Sequence, residues 1–310
     1  MSTNEERREA ARRKLEERLQ REQQAAQKRR LALLATAGVV VVAIAAVGGF
    51  LWYKKWDNDR HTTCDYTAAP SNLADAIKAY EGQLSQVPAD KKAQVQAYIQ
   101  QMKDGEKLAR TSPMPDGRTL NSGTVDLTLT TNFGAVPITL DRSLAACNVN
   151  AVVSLASNGY YDGTKCHRMT TSDTLSVLQC GDPTLTGMTG PGWHSPDENP
   201  QGLKEVPVDP QMAALGLAQG GTVIYPRGTV AIANSNNAEQ QRENTGSAQF
   251  FIVTKDSQLT PTLAIVGHVD EEGMKVIDKS VKAGIATSPT DTPTDGMPKT
   301  PLEIKNASVA

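Results

Sequence analysis

This 310-residue chain contains four cysteines and four histidines, the residue types that most often bind metals or form disulfides. Their spacings match no zinc-binding pattern and the histidines are scattered, so the sequence predicts no metal site. An even number of cysteines is typical of disulfide-bonded proteins in an oxidising compartment, and three pairings remain open. The residues are Cys64, Cys147, Cys166 and Cys180, and His61, His167, His194 and His268.

Five short motifs in the second half of the chain have the order and approximate spacing of one known family. They are GYYDGTKCHRM (159–169), LQCGDPT (178–184), GTVAIAN (228–234), GSAQFFIV (246–253) and VGHV (266–269). Each motif is uninformative alone, but the ordered set resembles the cyclophilins over about residues 124–304. The resemblance implies a peptidyl-prolyl cis-trans isomerase with a mainly-β fold, in which a closed eight-stranded antiparallel barrel is capped by two helices.

Isomerisation of an Xaa-Pro bond requires neither a nucleophile nor a cofactor. The barrier of ~18–20 kcal/mol comes from the partial double bond of the amide, and no bond is made or broken. In the twisted amide the prolyl nitrogen regains its lone pair, so a donor that favours this state lowers the barrier. The resemblance assigns this catalytic role to Arg168, whose guanidinium stays charged and presents a fixed fork of donors.

The resemblance also implies the residues that hold the substrate. Gln179 and Gln249 match two glutamines that orient Arg168 and the substrate backbone, and Asn234, beside Ala233, matches an asparagine whose main chain holds the extended peptide. The remaining substrate-binding residues are the proline-pocket walls and a glycine in the loop beside the groove: Phe251, Leu259, Val177 and Gly187.

Three positions depart from the family pattern. Ser176 stands where the family has an aromatic residue, Gln258 where it has Trp or Phe, and Leu263 where it has His. A smaller, more polar rim weakens proline burial, and the loss of one aromatic wall costs roughly 1–3 kcal/mol of binding.

Cys166 and Cys180 flank the strands that carry Arg168 and Gln179. In the family these strands form a hairpin, so the resemblance implies a Cys166–Cys180 bridge, worth ~3 kcal/mol for a loop of about 15 residues. Cys147 is a competing partner, and four free thiols remain an alternative.

The elements that must position these residues are short strands. Apolar and polar residues alternate over residues 125–130 and again over 136–140, with a turn at 132–134, which predicts a β-hairpin. Further strands are predicted at 166–170, 177–180, 228–233, 250–253, 264–269 and 301–306, with helices at 149–158 and 274–283. Many short strands with two helices favour a closed antiparallel barrel.

An apolar run at residues 31–53 precedes this domain. As a helix it extends roughly 35 Å, enough for a ~30 Å hydrocarbon core, so it is predicted to be a transmembrane signal anchor. Residues 1–30 hold ten Lys and Arg, which predicts a charged cytoplasmic helix and a C-terminal domain outside the cytoplasm. The predicted localisation is therefore the cell membrane, with a single pass, and lipid is a predicted partner.

Residues 54–122 are predicted to form a helical stalk and linker before the isomerase domain of residues 123–310. Leu73, Ile77, Tyr80 and Leu84 recur at helical spacing, and Val95 starts a second helical stripe that continues to Met102. The stripes indicate a stalk, or a hairpin that packs on itself or on the main domain.

The formal net charge of −2 predicts no nucleic-acid partner. The resemblance implies Xaa-Pro peptide segments as partners and cyclosporin-like cyclic peptides as a further ligand class. The predicted anchor makes the Xaa-Pro partners segments of exported proteins. Two functions follow: an isomerase that assists the folding of exported proteins, or a tethered module that binds proline peptides with weak or no turnover.

Overall fold

The structure is a computed structural model that describes residues 4–207, 211, 221–286 and 292–310. It divides into two compact units, Met1–Asp59 and Arg60–Ala310. The first unit is one helix, and the second contains every strand that the structure describes.

The predicted transmembrane segment is not a helix of its own. The apolar residues 31–53 continue helix α1 (Asn4–Asp59), a 56-residue helix whose first half carries the charged residues. Across the described part of the chain, no helix combines the length and the apolar character that a membrane crossing demands. The predicted signal anchor, the single-pass topology and the cell-membrane localisation are therefore wrong, while lipid as a partner stays a prediction.

The helices and strands of the second unit have the following bounds. The helices are α2 (Leu73–Gln83), α3 (Ala89–Glu106), α4 (Arg142–Ser157) and α5 (Glu271–Ala283), with a 3-10 turn at Leu84–Gln86. The first strands are β1 (His61–Thr63), β2 (Thr67–Ala68), β3 (Arg118–Leu120), β4 (Thr124–Thr131), β5 (Gly134–Asp141), β6 (Thr164–Lys165), β7 (Arg168–Thr171), β8 (Ser176–Cys180) and β9 (Trp193–His194). The others are β10 (Lys204–Glu205), β11 (Val223–Tyr225), β12 (Thr229–Ile232), β13 (Phe250–Val253), β14 (Ser257–Leu259), β15 (Ile265–Val269), β16 (Asp295–Gly296) and β17 (Glu303–Val309).

The main sheet is a curled antiparallel sheet of ten strands in the order β16-β7-β8-β13-β12-β15-β5-β4-β17-β6. The expected closed eight-stranded barrel is wrong. Two-residue strands at each end, β16 and β6, extend the sheet, and among the described residues no ladder joins one end to the other. The sheet is therefore an open half-barrel with two edges.

The predicted hairpin is β4 and β5, which pair from Thr124↔Asp141 to Thr131↔Gly134. Its inward side chains are buried together with apolar residues of α4 and α5, because alternate residues of a strand face the same side. Asp141 and Asp270 cap these two helices, accepting hydrogen bonds from Ser143 N at 2.9 Å and from Gly273 N at 2.7 Å. Both helices therefore cover one face of the sheet.

Residues 60–122 belong to the same compact unit as the sheet. Strand β1 pairs with β3, β2 pairs with β9, and a disulfide joins Cys64 to Cys147 at the start of α4. Helices α2 and α3 bury Leu73, Ile77, Ile99 and Met102 against each other, with Met188 packed on the cluster. The helical stripes thus form a hairpin that packs on itself and contacts the loop after β8, while the division at residue 122 stays a prediction.

Candidate functional site

A row of side chains runs across four neighbouring strands of the main sheet. Arg168 on β7 is paired with Gln179 on β8, and Gln179 is paired with Phe251 on β13. Phe251 is in turn paired with Ala231 on β12. Directly paired residues share one face of a sheet, so the pairing alone brings the guanidinium, an amide and an aromatic ring together.

The strands that carry this row are buried on both faces. Phe250 and Ile252 point into the main core, whereas Phe251 and Val253 belong to a second apolar cluster. The second cluster also contains Val177, Ala231 and Tyr225, and partly buried leucines pack on it. This continuous apolar pattern is typical of strands covered on both sides, and here the second side forms the site.

A cavity of about 220 Å³ lies over the second cluster. Seven of the nine predicted site residues line it: Arg168, Val177, Gln179, Ala233, Asn234, Phe251 and Leu259. Leu175 and Leu263 complete its wall. The other two predicted residues, Gly187 and Gln249, line an adjoining cavity of about 460 Å³ that shares Gln179, Ala233 and Asn234. The structure therefore brings all nine together, while their roles in binding and catalysis stay predictions.

The three departures from the family pattern take different places. Ser176 points away from the cavity, because its Oγ lies 2.9 Å from Thr254 Oγ1 and its backbone N donates to Ser257 Oγ. Gln258 is exposed on β14 and does not line the cavity. Only Leu263 lines it, so an aliphatic side chain stands where the family has His, and the rim is less polar than the sequence suggested.

The Arg168 guanidinium is held from two sides. Its Nε and Nη2 donate to the two carboxylate oxygens of Asp295, both at 2.8 Å, and its Nη1 donates to Gln179 Oε1 at 3.3 Å. The bidentate pair with Asp295 has the fork-to-fork geometry that fixes a guanidinium most strongly. Arg168 is therefore oriented by a carboxylate that the sequence interpretation did not include.

The two glutamines form a relay with a defined direction. Gln249 Nε2 donates to the carbonyls of Gly187 and Thr189, both at 3.0 Å, so its oxygen must face Gln179. Gln179 Nε2 donates to that oxygen at 2.9 Å, which turns Gln179 Oε1 toward Arg168. Two backbone carbonyls thus determine which amide atom meets the guanidinium.

The loop that supplies these carbonyls is organised by a buried carboxylate. Asp182 is fully buried and accepts hydrogen bonds from Thr184 N at 2.8 Å and from Thr184 Oγ1 at 2.7 Å. The hydroxyl of Thr189 also donates to it. Gly187 has φ of +73°, a left-handed conformation that favours glycine. Loop and relay are consequently one hydrogen-bonded assembly.

Asn234 and Ala233 line both cavities, so they lie where a peptide that spans the two cavities would pass. Ala233 N donates to Gln249 O at 2.9 Å, which extends the pairing of β12 and β13 toward the relay. Asn234 Nδ2 donates to Thr262 O at 2.9 Å. Across the adjoining cavity lie residues 69–72, which precede the sheet and which sequence patterns did not connect with the site.

His167, next to Arg168, is buried and faces a third cavity of about 830 Å³ between α3 and residues 292–297. Neither ring nitrogen has a hydrogen-bond partner among the described residues, and both N–H groups of the neighbouring Gln249 amide are directed to backbone carbonyls. Burial lowers the pKa of His167, an effect that Asp182 partly opposes. Burial therefore favours the neutral form of the imidazole beside the Arg168 guanidinium.

The described residues form two disulfide bonds, one of which is next to the site. One joins Cys166 to Cys180 and links β7 and β8 next to Arg168 and Gln179, and the other joins Cys64 to Cys147. No cysteine is free, so the alternative of four thiols is excluded. Within the ranges that the structure covers, no three His, Cys, Asp or Glu side chains are grouped as a metal site needs.

Sequence reasoning missed Asp295, Asp182, His167 and Leu175. For Asp182 a signal existed, since an Asp followed by threonines at positions 184, 186 and 189 is typical of a loop closed by side-chain hydrogen bonds. Asp295 had none, because it lies 127 residues from Arg168 in a Pro- and Thr-rich segment read only as a loop before the last strand. Of that segment, residues 287–291 lie outside the described residues.

Comparison with known proteins gives the family. Two curated relatives are named probable peptidyl-prolyl cis-trans isomerase B: that of Mycobacterium tuberculosis is 39% identical over 198 residues, which are 64% of this chain and 57% of the relative. That of Mycobacterium leprae is 39% identical over 183 residues, 59% of this chain and 56% of the relative. The chain thus spans little more than half the length of these relatives.

A solved cyclophilin-type isomerase of Cryptosporidium parvum has a TM-score of 0.42 and 21% identity, covering 61% of this chain and 98% of that chain. Residues 125–309 match the family model described as cyclophilin type peptidyl-prolyl cis-trans isomerase/CLD. Because this match covers more than half of the chain, the family that the five motifs predicted is confirmed: the protein belongs to the cyclophilin-type peptidyl-prolyl cis-trans isomerase family.

Proposed function

We propose that this chain catalyses cis-trans isomerisation of Xaa-Pro bonds in peptide segments that bind across the two adjoining cavities. The observation that carries the proposal is the position of Arg168, which lies at the rim of an apolar cavity of about 220 Å³. The family match and the mycobacterial relatives support the same activity. No narrower client class is proposed, since the link to exported proteins depended on the membrane anchor.

The cavity provides a host for the proline ring. Phe251 is 5% exposed and paired with Ala231, and together with Val177 and the leucines it gives an apolar floor and wall. Burial of a proline ring there gains roughly 25 cal/mol per Å² of apolar surface removed from water. The ring is held while the residue before it stays free to rotate.

Arg168 supplies the polar half of the mechanism. In the planar amide the prolyl nitrogen lone pair is delocalised, so an N–H donor has little to bind. In the twisted state the nitrogen is a better acceptor, and a guanidinium N–H at the cavity rim interacts with it more strongly. The interaction therefore lowers the barrier without any proton transfer.

The test is the exchange between cis and trans forms of a short Xaa-Pro peptide, followed by NMR exchange spectroscopy with and without the protein. Arg168→Ala should lower the catalysed exchange rate by roughly a hundredfold, the usual effect of removing one transition-state donor. Arg168→Lys should recover little, because it lacks the fork. Full activity of a folded Arg168→Ala protein would refute the assignment.

A second function, peptide binding with little turnover, is favoured by one observation. Phe251 is the one aromatic residue in the described lining of the 220 Å³ cavity, so proline is enclosed mainly by aliphatic groups. The same spectra separate the two functions. Peptide shifts that titrate with protein while cis and trans signals stay unconnected by exchange would establish binding without isomerisation.

A further inference from the structure

Asp295 reaches the Arg168 guanidinium from a strand that extends the sheet beyond β7. Strand β16 pairs with β7 through Asp295↔Thr170 and Gly296↔Met169, which places the carboxylate beside the guanidinium. Both oxygens accept at 2.8 Å, and the two side chains are 42% and 43% exposed. An ion pair this exposed adds little to folding stability, so stability alone does not explain why the Arg168–Asp295 pair has bidentate geometry.

The pair leaves the catalytic edge of the guanidinium open. A guanidinium has five N–H donors, of which Asp295 takes two and Gln179 takes one, so two remain for a substrate. Arg168 lines both the 220 Å³ cavity and the 830 Å³ cavity, whereas Asp295 lines only the latter. The carboxylate therefore holds the guanidinium without lining the apolar cavity.

Without Asp295, Arg168 has one hydrogen bond at 3.3 Å to Gln179. A single contact permits the guanidinium plane to rotate, and the long side chain of a half-exposed arginine then regains conformational freedom. Two parallel hydrogen bonds to one carboxylate remove that rotation. The N–H groups that face the cavity are then in place before a peptide binds, which is the condition for electrostatic preorganisation.

We propose that Asp295 is a positioning residue of the isomerase site, one that orients the Arg168 guanidinium toward the prolyl nitrogen. The proposal rests on the proposed isomerase function. It makes the segment after α5, although distant in sequence, a functional part of the site.

The chain offers a matched control for this pair. Arg227 and Asp278 form a second bidentate pair, with Nη1 and Nη2 at 3.2 Å and 3.1 Å from the two carboxylate oxygens and exposures of 31% and 28%. Neither residue lines the three cavities around Arg168. Asp278→Asn therefore removes the same kind of ion pair from the same protein outside the site.

The experiment compares Asp295→Asn, Asp295→Ala and Asp295→Glu with the wild type and Asp278→Asn. The catalysed cis-trans exchange rate at saturating Xaa-Pro peptide and the peptide affinity are both measured by NMR. Asp295→Asn should lower the exchange rate roughly tenfold, less than the roughly hundredfold cost of a full 1 Å misplacement because Gln179 still holds Arg168, and leave the affinity close to wild type. Asp295→Glu should restore part of the rate, and Asp278→Asn should leave it unchanged.

The Arg168 Nε–H resonance gives a readout that is independent of turnover. In the wild type this proton is held by Asp295 and should exchange slowly with water, and in Asp295→Asn it should exchange fast. An unchanged or faster isomerisation rate in Asp295→Asn, or an equal loss of rate and affinity, would overturn the positioning role. Lack of catalysis by the wild type would instead refute the proposed function, so the two failures are distinct.

Discussion

Replacing Gln249 by Glu tests whether the glutamine relay sets the orientation of Arg168. The amide of Gln249 makes three hydrogen bonds: it donates to the Gly187 and Thr189 carbonyls and accepts from Gln179. A carboxylate has no donors, so both donated bonds are lost and two carbonyl oxygens face a negative oxygen. At a net ~1 kcal/mol per hydrogen bond, the loss is about 2 kcal/mol.

The consequence should appear at Arg168 and not only in stability. In the variant, the loop carbonyls repel the introduced carboxylate and displace it from Gln179. Gln179 then loses the acceptor that fixes its amide and can present its NH₂ group to the guanidinium. If the whole ~2 kcal/mol is lost from the transition state, the catalysed exchange rate falls about thirtyfold, at ~1.4 kcal/mol per tenfold. The Arg168 Nη signals should broaden in the same variant.

The assay is the cis-trans exchange rate of an Xaa-Pro peptide, measured together with urea unfolding. Gln201→Glu is the control, because it adds the same charge at an exposed glutamine outside the three cavities. A Gln249→Glu protein that unfolds at lower urea but isomerises at the wild-type rate would refute the relay. The glutamines would then only stabilise the loop.

Two further predictions concern stability. Burial lowers the pKa of His167, so near pH 6.5 the unfolded chain binds a proton that the folded protein excludes; the free energy of unfolding should fall from pH 7 to pH 5 by up to about 1.4 kcal/mol per unit. His167→Gln should flatten this slope more than His194→Gln, because burial also lowers the pKa of His194 but that side chain is only half-buried. An unchanged slope in His167→Gln would contradict the assignment. For the disulfides, closure of the 83-residue Cys64–Cys147 loop is worth about 4–5 kcal/mol by chain entropy, against ~3 kcal/mol for the 14-residue Cys166–Cys180 loop. Urea unfolding of the two paired Cys→Ser variants should therefore show the larger loss for Cys64 and Cys147, and the reverse order would argue against chain entropy as the cause.

Strand periodicity and motif order carried most of what the sequence could predict. The alternation of β4 and β5 predicts their hairpin because one face of each strand is buried. The motif residues of β7, β8, β12 and β13 were each placed on the correct strand, and the pairing of these strands brings them into one row. Local pattern and family order are sufficient for a site built on paired strands.

The two wrong predictions, the transmembrane anchor and the closed barrel, both depend on how a segment is connected to or paired with its neighbours. Residues 31–53 are apolar by themselves, but they continue the charged half of α1, and length alone did not distinguish a spanning helix from a segment of a longer one. Closure of the barrel depends on whether the end strands pair. Strands β6 and β16 have two residues each, too few to show any period.

The polarity of the site was beyond sequence reasoning for a related reason. A sequence does not show which way the oxygen and nitrogen of a glutamine amide point. The carbonyls of Gly187 and Thr189 determine the orientation of Gln249, and Gln249 in turn determines that of Gln179. Likewise, a hydropathy pattern does not distinguish a half-exposed carboxylate from other surface residues. The contact of Asp295 with Arg168 could therefore be identified only from the pairing of β16 with β7. A residue that accelerates a reaction by orienting another needs no unusual chemistry of its own. For that reason Arg168 could be found from a motif, whereas the carboxylate that we propose orients it required the fold.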